Sequence, residues 1–112
     1  MIELFYSMVF YKIVVYVPLS HTDIVREVIG QTGAGQLGNY SFCTFSSRGI
    51  GRSKPGEGAH PAIGTIGKIE AIEEERIEVT CPKNLVSATI AAIKKVHPYD
   101  EVALDVYELL SW

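Results

Sequence analysis

The distribution of apolar residues along the first third of the chain predicts a strand followed by a helix. Tyr11–Val17 is almost continuously apolar and rich in β-branched residues, which is typical of a central strand covered on both faces. Apolar residues then recur at helical spacing, and Ser20–Asp23 before them resembles a capping box with Asp in place of Glu. We therefore expect a helix at about Thr22–Thr32, with Gly33 as its left-handed terminator.

The middle of the chain has shorter strand patterns on either side of a glycine-rich stretch. Tyr40–Ser47 alternates weakly and predicts a second strand. Gly49–Gly64 holds five of the ten glycines and two of the five prolines, which is typical of a shaped functional loop. Ile63–Ile72 and Arg76–Cys81 then predict two strands, joined by an acidic turn at Glu73–Glu75 whose charges would keep the tip in water.

The last third of the chain predicts a second helix and a closing strand. Asn84 is the expected N-cap, and the helix should end before Pro98, which disfavours helical geometry at the preceding residue. The apolar stripe of this helix consists of Val86, Ile90 and Ile93. Val102–Leu109 alternates as a final strand, with Leu104 and Val106 on one face and Tyr107 and Leu109 on the other.

The order of these elements is β-α-β-loop-β-β-α-β, which predicts a ferredoxin-like α+β sandwich with an antiparallel sheet and both helices on one face. We assign residues 9–112 to this single domain and residues 1–8 to an N-terminal extension. Either Met1 or Met8 is then the expected start of the natural protein.

Composition excludes several classes of function. With 112 residues, 47% apolar content and a net charge of −3, the chain is typical of one folded domain, and it lacks the basic excess of a nucleic-acid-binding protein. The apolar run Leu4–Leu19 is shorter than the roughly 20 residues that a membrane span needs, and it has no features of a leader peptide. Cys43 and Cys81 make no disulfide framework or zinc motif, so the cytoplasm is the expected compartment.

Two glycine motifs could indicate phosphate or anion binding, and the second is the stronger indication. Gly33–Gly38 matches the pattern GxGxxG, but it closes a predicted helix and leads into a strand, whereas a dinucleotide site needs the reverse order. In the loop, the backbone around Gly56 and Gly58 with the cations Arg52 and Lys54 could form a nest for an anion. The alternative is a structural loop packed at a subunit contact.

The densest chemical cluster is the segment His97–Glu101, which contains an imidazole, a phenol and two carboxylates. His97 and Glu101, joined by His60 from the loop, could hold a divalent metal through nitrogen and oxygen ligands. The alternative is a turn ended by Pro98, in which His97 hydrogen-bonds to the backbone. No nucleophile motif is present, so we expect no catalysis.

Several separated motifs, in this order, give the chain a family resemblance. These are Gly33–Tyr40, Cys43–Phe45, Gly49–Gly64, Gly67–Glu70, Glu75–Glu78 and His97–Glu101. Over about residues 9–110 the chain resembles the YqfO-type, CutA-like domain of the NGG-one-interacting-factor-three-like (Nif-three-like) family, here in stand-alone form. It departs from the family pattern in the loop, where His60 stands in place of the usual Asn and Ala62 in place of a common aromatic residue.

This resemblance implies a CutA-like and PII-like subunit, usually assembled into homotrimers by pairing of sheet edges. CutA proteins share the His-Pro-Tyr motif and have been linked to divalent-cation tolerance. The dimetal site of the larger Nif-three-like proteins belongs to flanking segments, so the resemblance does not bring it to this chain.

We therefore predict a homo-oligomeric, trimeric, non-enzymatic domain with a regulatory or ligand-binding role, in which the loop packs near His97–Glu101 and shapes a cleft at a subunit boundary. The predicted ligand-binding residues are Gly51, Arg52, Lys54, Gly56, Gly58 and Tyr99. Two alternatives stay open: a divalent-metal protein using His97, Glu101 and His60, and a PII-like sensor of an anion or nucleotide. Neither nucleic acid nor a membrane is an expected partner.

Overall fold

The computed structural model of the protein describes residues 9–110, and the N-terminal extension, with both expected start methionines, lies outside them. Four strands form one antiparallel sheet in the order β2-β3-β1-β4. The strands are β1 (Phe10–Pro18), β2 (Phe45–Ser53), β3 (Glu70–Pro82) and β4 (Leu104–Leu109), and the helices are α1 (Thr22–Gln31) and α2 (Val86–Val96). None of the helices among residues 9–110 is long and apolar enough to cross a membrane.

The core lies between the two helices and one face of the sheet. Ile13 pairs with Val79 and Val15 with Ile77, and all four side chains are almost completely buried because successive strand residues alternate between the two faces. The helices supply the opposing wall through Val25, Ile29 and Ile93. This arrangement confirms the predicted ferredoxin-like α+β sandwich. The order within residues 9–110 is β-α-β-β-α-β, one strand fewer than predicted, because Ile63–Ile72 does not form a strand of its own.

No helix of the described part of the chain covers the opposite face of the sheet. By register it presents Lys12 and Tyr16 of β1, Arg76 of β3 and Tyr107 of β4, none of which is fully buried. Only Val14, at the centre of this face, is completely covered, and it lies outside the main core cluster. Long neighbouring side chains therefore protect the middle of this face and leave its periphery accessible.

The first helix begins at Thr22 as predicted, but neither helix has the predicted side-chain cap at its N-terminus. The Ser20–Asp23 capping box does not form, since α1 is entered through a 3-10 turn at Leu19–His21 with no side-chain cap. Asn84 is likewise not an N-cap, because it lies inside a second 3-10 turn at Lys83–Leu85. A 3-10 turn satisfies the first free backbone groups with tighter bonds and replaces the missing caps. The predicted end of α2 before Pro98 is confirmed.

The acidic turn predicted at Glu73–Glu75 is wrong, because these residues lie inside β3, which runs as one strand of 13 residues. The strand accommodates three consecutive glutamates because their side chains alternate between faces and two of them have long-range partners. Glu75 pairs with Arg26 of α1, and Glu74 accepts a hydrogen bond from Tyr99. A local pattern of charge cannot reveal such partners.

The second strand is also displaced from its predicted position at Tyr40–Ser47, since β2 runs through Gly49 and Gly51. The first part of the glycine-rich stretch is therefore strand, and the connection between β2 and β3 is residues 54–69. Residues 70–73 of β3 pair with β2 alone, so the β2–β3 hairpin extends past the rest of the sheet. The domain is consequently elongated, about 55 Å by 23 Å by 23 Å.

The GxGxxG segment closes a helix, as predicted. Gly33 follows Thr32, the C-cap of α1, with φ of 96°, a left-handed conformation that favours glycine. Gly35 has φ of 80°, and its backbone N–H donates to the carbonyl of Thr80 in β3. The segment therefore connects α1 to the sheet instead of opening a helix towards a ligand.

Candidate functional site

A cleft of about 380 Å³ lies between the loop that follows β2 and the turn that follows α2. Its floor is formed by Ile72 and Glu74 of β3. Apolar residues make up most of its walls, namely Pro55, Ala59, Pro61, Ala62, Ile63 and Ala103. The polar and charged side chains around it are Arg52, Ser53, Lys54, Tyr99, Asp100 and Glu101. A concave apolar surface with a few polar groups is the usual character of a small-molecule site.

One hydrogen bond ties the loop to the turn. The backbone N–H of His60 donates to Oδ2 of Asp100 over 3.0 Å. This bond is the main cause that lowers the pKa of Asp100, because it stabilises the charged carboxylate. The predicted packing of the loop near His97–Glu101 is therefore confirmed.

A second hydrogen bond joins the turn to the sheet. The hydroxyl of Tyr99 donates to Oε2 of Glu74 over 2.9 Å. Burial raises the pKa of Tyr99, and the bond to Glu74 and the charge of that carboxylate raise it further. On the other side of Glu74 is Gly51, where any side chain would collide with Oε1 of the carboxylate. Glycine at this position of β2 thus leaves the space that Glu74 fills.

His97 is buried behind the cleft and holds the turn in shape. Only 6% of the residue is exposed. Its Nε2 donates to the carbonyl of Tyr16 over 2.7 Å, and its Nδ1 accepts from the backbone N–H of Tyr99 over 3.2 Å. The two rings meet edge to face with centroids 4.8 Å apart. Both ring nitrogens are therefore engaged with the backbone, the alternative role that the sequence left open for His97.

Burial lowers the pKa of His97, against the opposing effects of the Tyr16 carbonyl and the charge of Glu74. The neutral imidazole is the form that suits this position, because Nε2 donates a hydrogen bond to a carbonyl while Nδ1 must be unprotonated to accept one from the Tyr99 N–H. His97 therefore acts as a neutral bridge between β1 and the Tyr99 backbone.

The structure brings together most of the residues predicted to bind a ligand. Five of them line the cleft, namely Gly51, Arg52, Lys54, Gly56 and Tyr99. Gly58 is absent from the lining and lies at a loop position with φ of 90°.

The three residues predicted to hold a metal are placed differently. Glu101 lines the cleft, His60 contributes its backbone N–H, and His97 is engaged on both nitrogens. Among the described residues, no group of three or more His, Cys, Asp or Glu side chains is placed to hold a metal ion. The structure therefore does not assemble the predicted metal ligands, and a metal cofactor stays an untested prediction.

Sequence reasoning missed Glu74 as a site residue. It assigned this residue to a solvated turn tip, whereas the strand continues and points the carboxylate into the cleft. Asp100 belonged to the densest polar cluster but was not selected, because its partner is the backbone of a residue 40 positions away. Only the alternation of β3, counted back from Ile77, could have placed Glu74 on the helix-free face.

A smaller cleft of about 210 Å³ adjoins the first on the helix-free face of the sheet. Its lining includes Tyr16, Ser47, Gly49 and Arg76, and it shares Gly51 and Glu74 with the larger cleft. Glu74 therefore stands between the two concavities.

No protein-family model matches the chain. A protein from Halalkalibacterium halodurans named GTP cyclohydrolase 1 type 2 homolog is 50% identical over 101 residues, which are 90% of this chain and 27% of that protein. The solved structure of a Bacillus cereus protein related to NIF3 superposes with a TM-score of 0.80 at 46% identity, over 91% of this chain and 26% of the other. The chain belongs with the NIF3-related proteins. It spans about a quarter of the length of these relatives.

More distant structures share the fold of this NIF3-related chain. The divalent ion tolerance protein CutA1 from Ehrlichia chaffeensis superposes with a TM-score of 0.65 at 12% identity, covering 95% of this chain and 86% of the other. The GlnK–ATP complex of Bacillus subtilis superposes with a TM-score of 0.55 at 18% identity, covering 91% and 84%. At such identities the likeness concerns architecture, and it confirms the CutA-like and PII-like fold predicted from the sequence.

The buried imidazole predicts a dependence of stability on pH. The unfolded chain protonates His97 near pH 6.5, whereas the folded chain does so only at lower pH. The lowered pKa of His97 therefore makes its full contribution to the free energy of unfolding above about pH 6.5. This contribution is lost as the pH falls through the folded-state pKa. Between pH 6.5 and 5.5 we expect the free energy of unfolding to fall less steeply in His97→Gln than in the wild type. The two slopes should differ by up to about 1.4 kcal/mol per pH unit. Urea unfolding at several pH values measures this, with His60→Gln as the control for loss of one imidazole. Equal slopes in the two variants would contradict the prediction.

The Asp100 bond predicts local control of the loop. Asp100→Ala removes the acceptor for the His60 N–H, so we expect amide hydrogen exchange at His60 to accelerate several-fold. Global unfolding should change little, because Asp100 is exposed. Glu101→Ala is the matched control, since this neighbouring carboxylate also lines the cleft but makes no hydrogen bond to the loop among the described residues. Unchanged exchange at His60 in Asp100→Ala would show that the bond does not hold the loop.

Proposed function

We propose that the chain is a homo-oligomeric, non-catalytic binding module whose small-molecule ligand occupies the cleft between the β2–β3 loop and the His97–Glu101 turn. The cleft itself is the observation that supports this proposal. Its walls are mainly apolar, and hydrogen bonds from His60 to Asp100 and from Tyr99 to Glu74 hold its two sides in place. A preformed, largely apolar concavity reduces the ordering cost of binding.

The chemistry around the cleft favours binding over catalysis. Neither a histidine nor a cysteine lines it, and its one tyrosine donates its hydroxyl proton to Glu74. Nucleophilic catalysis needs a nucleophile in contact with a base, an arrangement that the cleft lining does not offer. The name GTP cyclohydrolase 1 type 2 homolog belongs to proteins about four times longer, and we assign to this chain a binding role instead of an activity of the whole protein.

The two alternatives from the sequence have less support. A divalent-metal role requires His97, whose nitrogens are both engaged. An anion or nucleotide role requires Arg52 and Lys54, which line the cleft but are exposed. Charge pairs that water surrounds contribute little to affinity, so these two cations alone do not make a strong anion site.

Trimeric assembly is the second part of the proposal. Among residues 9–110, no helix covers one face of the sheet, and the edge strands β2 and β4 each have one side without a partner strand. Apolar side chains are exposed on both edges, with Phe45 of β2 at 69% and Tyr107 of β4 at 50%. Exposed edges and apolar patches favour association with another chain, and the resemblance to CutA and PII proteins favours a trimer of identical chains.

Light scattering during size-exclusion chromatography measures the assembly directly. We expect a mass of three chains of 12.3 kDa each. Replacing Tyr107 with Lys should shift the mass towards the single chain, because a charge would be buried in the contact. Exposed Lys94→Glu on α2 is the control and should leave the mass unchanged. A wild-type protein of one chain at micromolar concentration would contradict the proposed trimer.

A fragment screen tests the proposed ligand site. Small apolar compounds that bind the native cleft should raise the melting temperature and shift the amide signals of Gly51 and Ala103. Ala62→Trp places an indole in the cleft and should abolish both effects, whereas Ala91→Trp, on the exposed side of α2, should preserve them. Absence of any compound with these properties at millimolar concentration would refute the ligand-binding role.

A further inference from the structure

Glu74 is a carboxylate that forms no ion pair with the described part of the chain. Its side chain is half-buried, and its one hydrogen bond among residues 9–110 comes from Tyr99 to Oε2. None of the ion pairs found among these residues includes Glu74. The neighbouring cation on the same face, Arg76, pairs instead with Glu78 at 3.3 Å. Within residues 9–110, the carboxylate on the floor of the cleft therefore has no cation at ion-pair distance.

This situation is costly for the protein alone and favourable for a suitable ligand. A carboxylate has about four sites that can accept hydrogen bonds, and Tyr99 occupies one of them. Removing a charge from water without a cation is strongly unfavourable, while a charge-assisted hydrogen bond recovers much of that cost. Oε1 lies in the space that Gly51 leaves, it makes no hydrogen bond among the described residues, and Glu74 lines both clefts. A donor that carries a positive charge fits this position best.

The rest of the cleft defines the remainder of the ligand. Three carboxylates line it, from Glu74, Asp100 and Glu101, against the two cations Arg52 and Lys54, so its formal charge is negative. Asp100 is occupied by the loop backbone, and Glu101 is exposed, which leaves Glu74 as the half-buried anchor.

The walls next to this anchor are apolar, with Ile72 on the floor and Pro61, Ile63 and Ala103 around it. At about 380 Å³ the cleft matches the lower part of the size range of small-molecule pockets. The ligand body should therefore be compact and apolar.

We propose that the cleft binds a small organic ammonium compound, with its ammonium group on the carboxylate of Glu74 and its apolar body against Ile72 and Ile63. This inference rests on the proposed function, because it names the chemical class of the ligand for the same cleft. The Tyr99 hydroxyl occupies Oε2, which leaves Oε1 as the oxygen proposed to accept from the ammonium group.

A matched series of probes separates the effect of charge from that of shape. Phenethylamine, phenethyl alcohol and 3-phenylpropionate share one apolar body and differ in an ammonium, a neutral or a carboxylate head. Titrations followed by amide NMR at pH 7.5 and low salt give the affinity of each for the cleft. We expect the amine to bind at least fivefold more tightly than the alcohol, and the acid to bind most weakly.

Two variants of adjacent glutamates assign the preference. Glu74→Gln keeps the shape of the side chain but removes its charge, so the amine and the alcohol should then bind equally. Glu73→Gln removes the same charge from an exposed residue on the opposite side of β3, outside the cleft lining, and should keep the wild-type preference. The salt dependence of the wild type provides a second measurement if Glu74→Gln does not fold. Added sodium chloride should weaken the binding of the amine and leave the binding of the alcohol unchanged.

The outcomes distinguish this inference from the function on which it rests. The ammonium assignment is overturned if the alcohol binds the cleft as tightly as the amine, or if the amine binds Glu74→Gln as tightly as the wild type. In either case the proposed binding module stands. If neither these probes nor the fragment screen gives cleft binding, the proposed function itself is overturned.

Discussion

The structure depends on the pairing of one long strand with two partners that are offset along it. Residues 74–82 of β3 pair with β1, and residues 70–78 pair with β2. One end of β3 therefore belongs to the central sheet over the helices, while the other end belongs to a two-stranded arm. The cleft lies at the point where β3 passes from the first environment to the second, which is why Ile72 and Glu74 form its floor.

This offset also explains how the carboxylate of Glu74 comes to line a partly enclosed cleft. At Glu75 the strand still faces α1, and Arg26 supplies a cation to that carboxylate. One residue earlier, at Glu74, the side chain points to the helix-free face, where Tyr99 reaches it from the turn after α2. The two adjacent glutamates therefore differ in environment. Glu75 is neutralised by a cation of the fold, and Glu74 lines the cleft. Only the two-residue period of a strand separates the two roles.

The elements with strong periodicity could be predicted from the sequence, and those set by distant partners could not. The apolar run of β1, the alternation from Ile77 to Cys81 and the helical spacing of α1 gave elements of the correct type close to their observed positions, since burial against one core decides all three. The Glu73–Glu75 turn failed because Arg26 and Tyr99, far away in the sequence, keep the strand extended. In the candidate site, grouping polar residues and glycines placed the loop beside the His97 turn. The sequence left two roles open for His97, a metal ligand or a partner of the backbone, and only the contacts with the distant Tyr16 and with Tyr99 decide between them.

The pairing of β1 has a consequence for the order in which the chain folds during synthesis. Phe10, at the start of β1, pairs with Pro82 on one side and with Leu109 on the other. Within this domain β1 is synthesised before both of its partner strands, so its hydrogen bonds are complete only after β4 has been made. Closing such long segments costs chain entropy before the contacts form, so folding by this topology is slow compared with that of a helical bundle of the same length. Until residues 70–82 have been made, the Ile13–Val17 run therefore has neither of the strands that flank it in the folded sheet, and it gains the second only with residues 104–109.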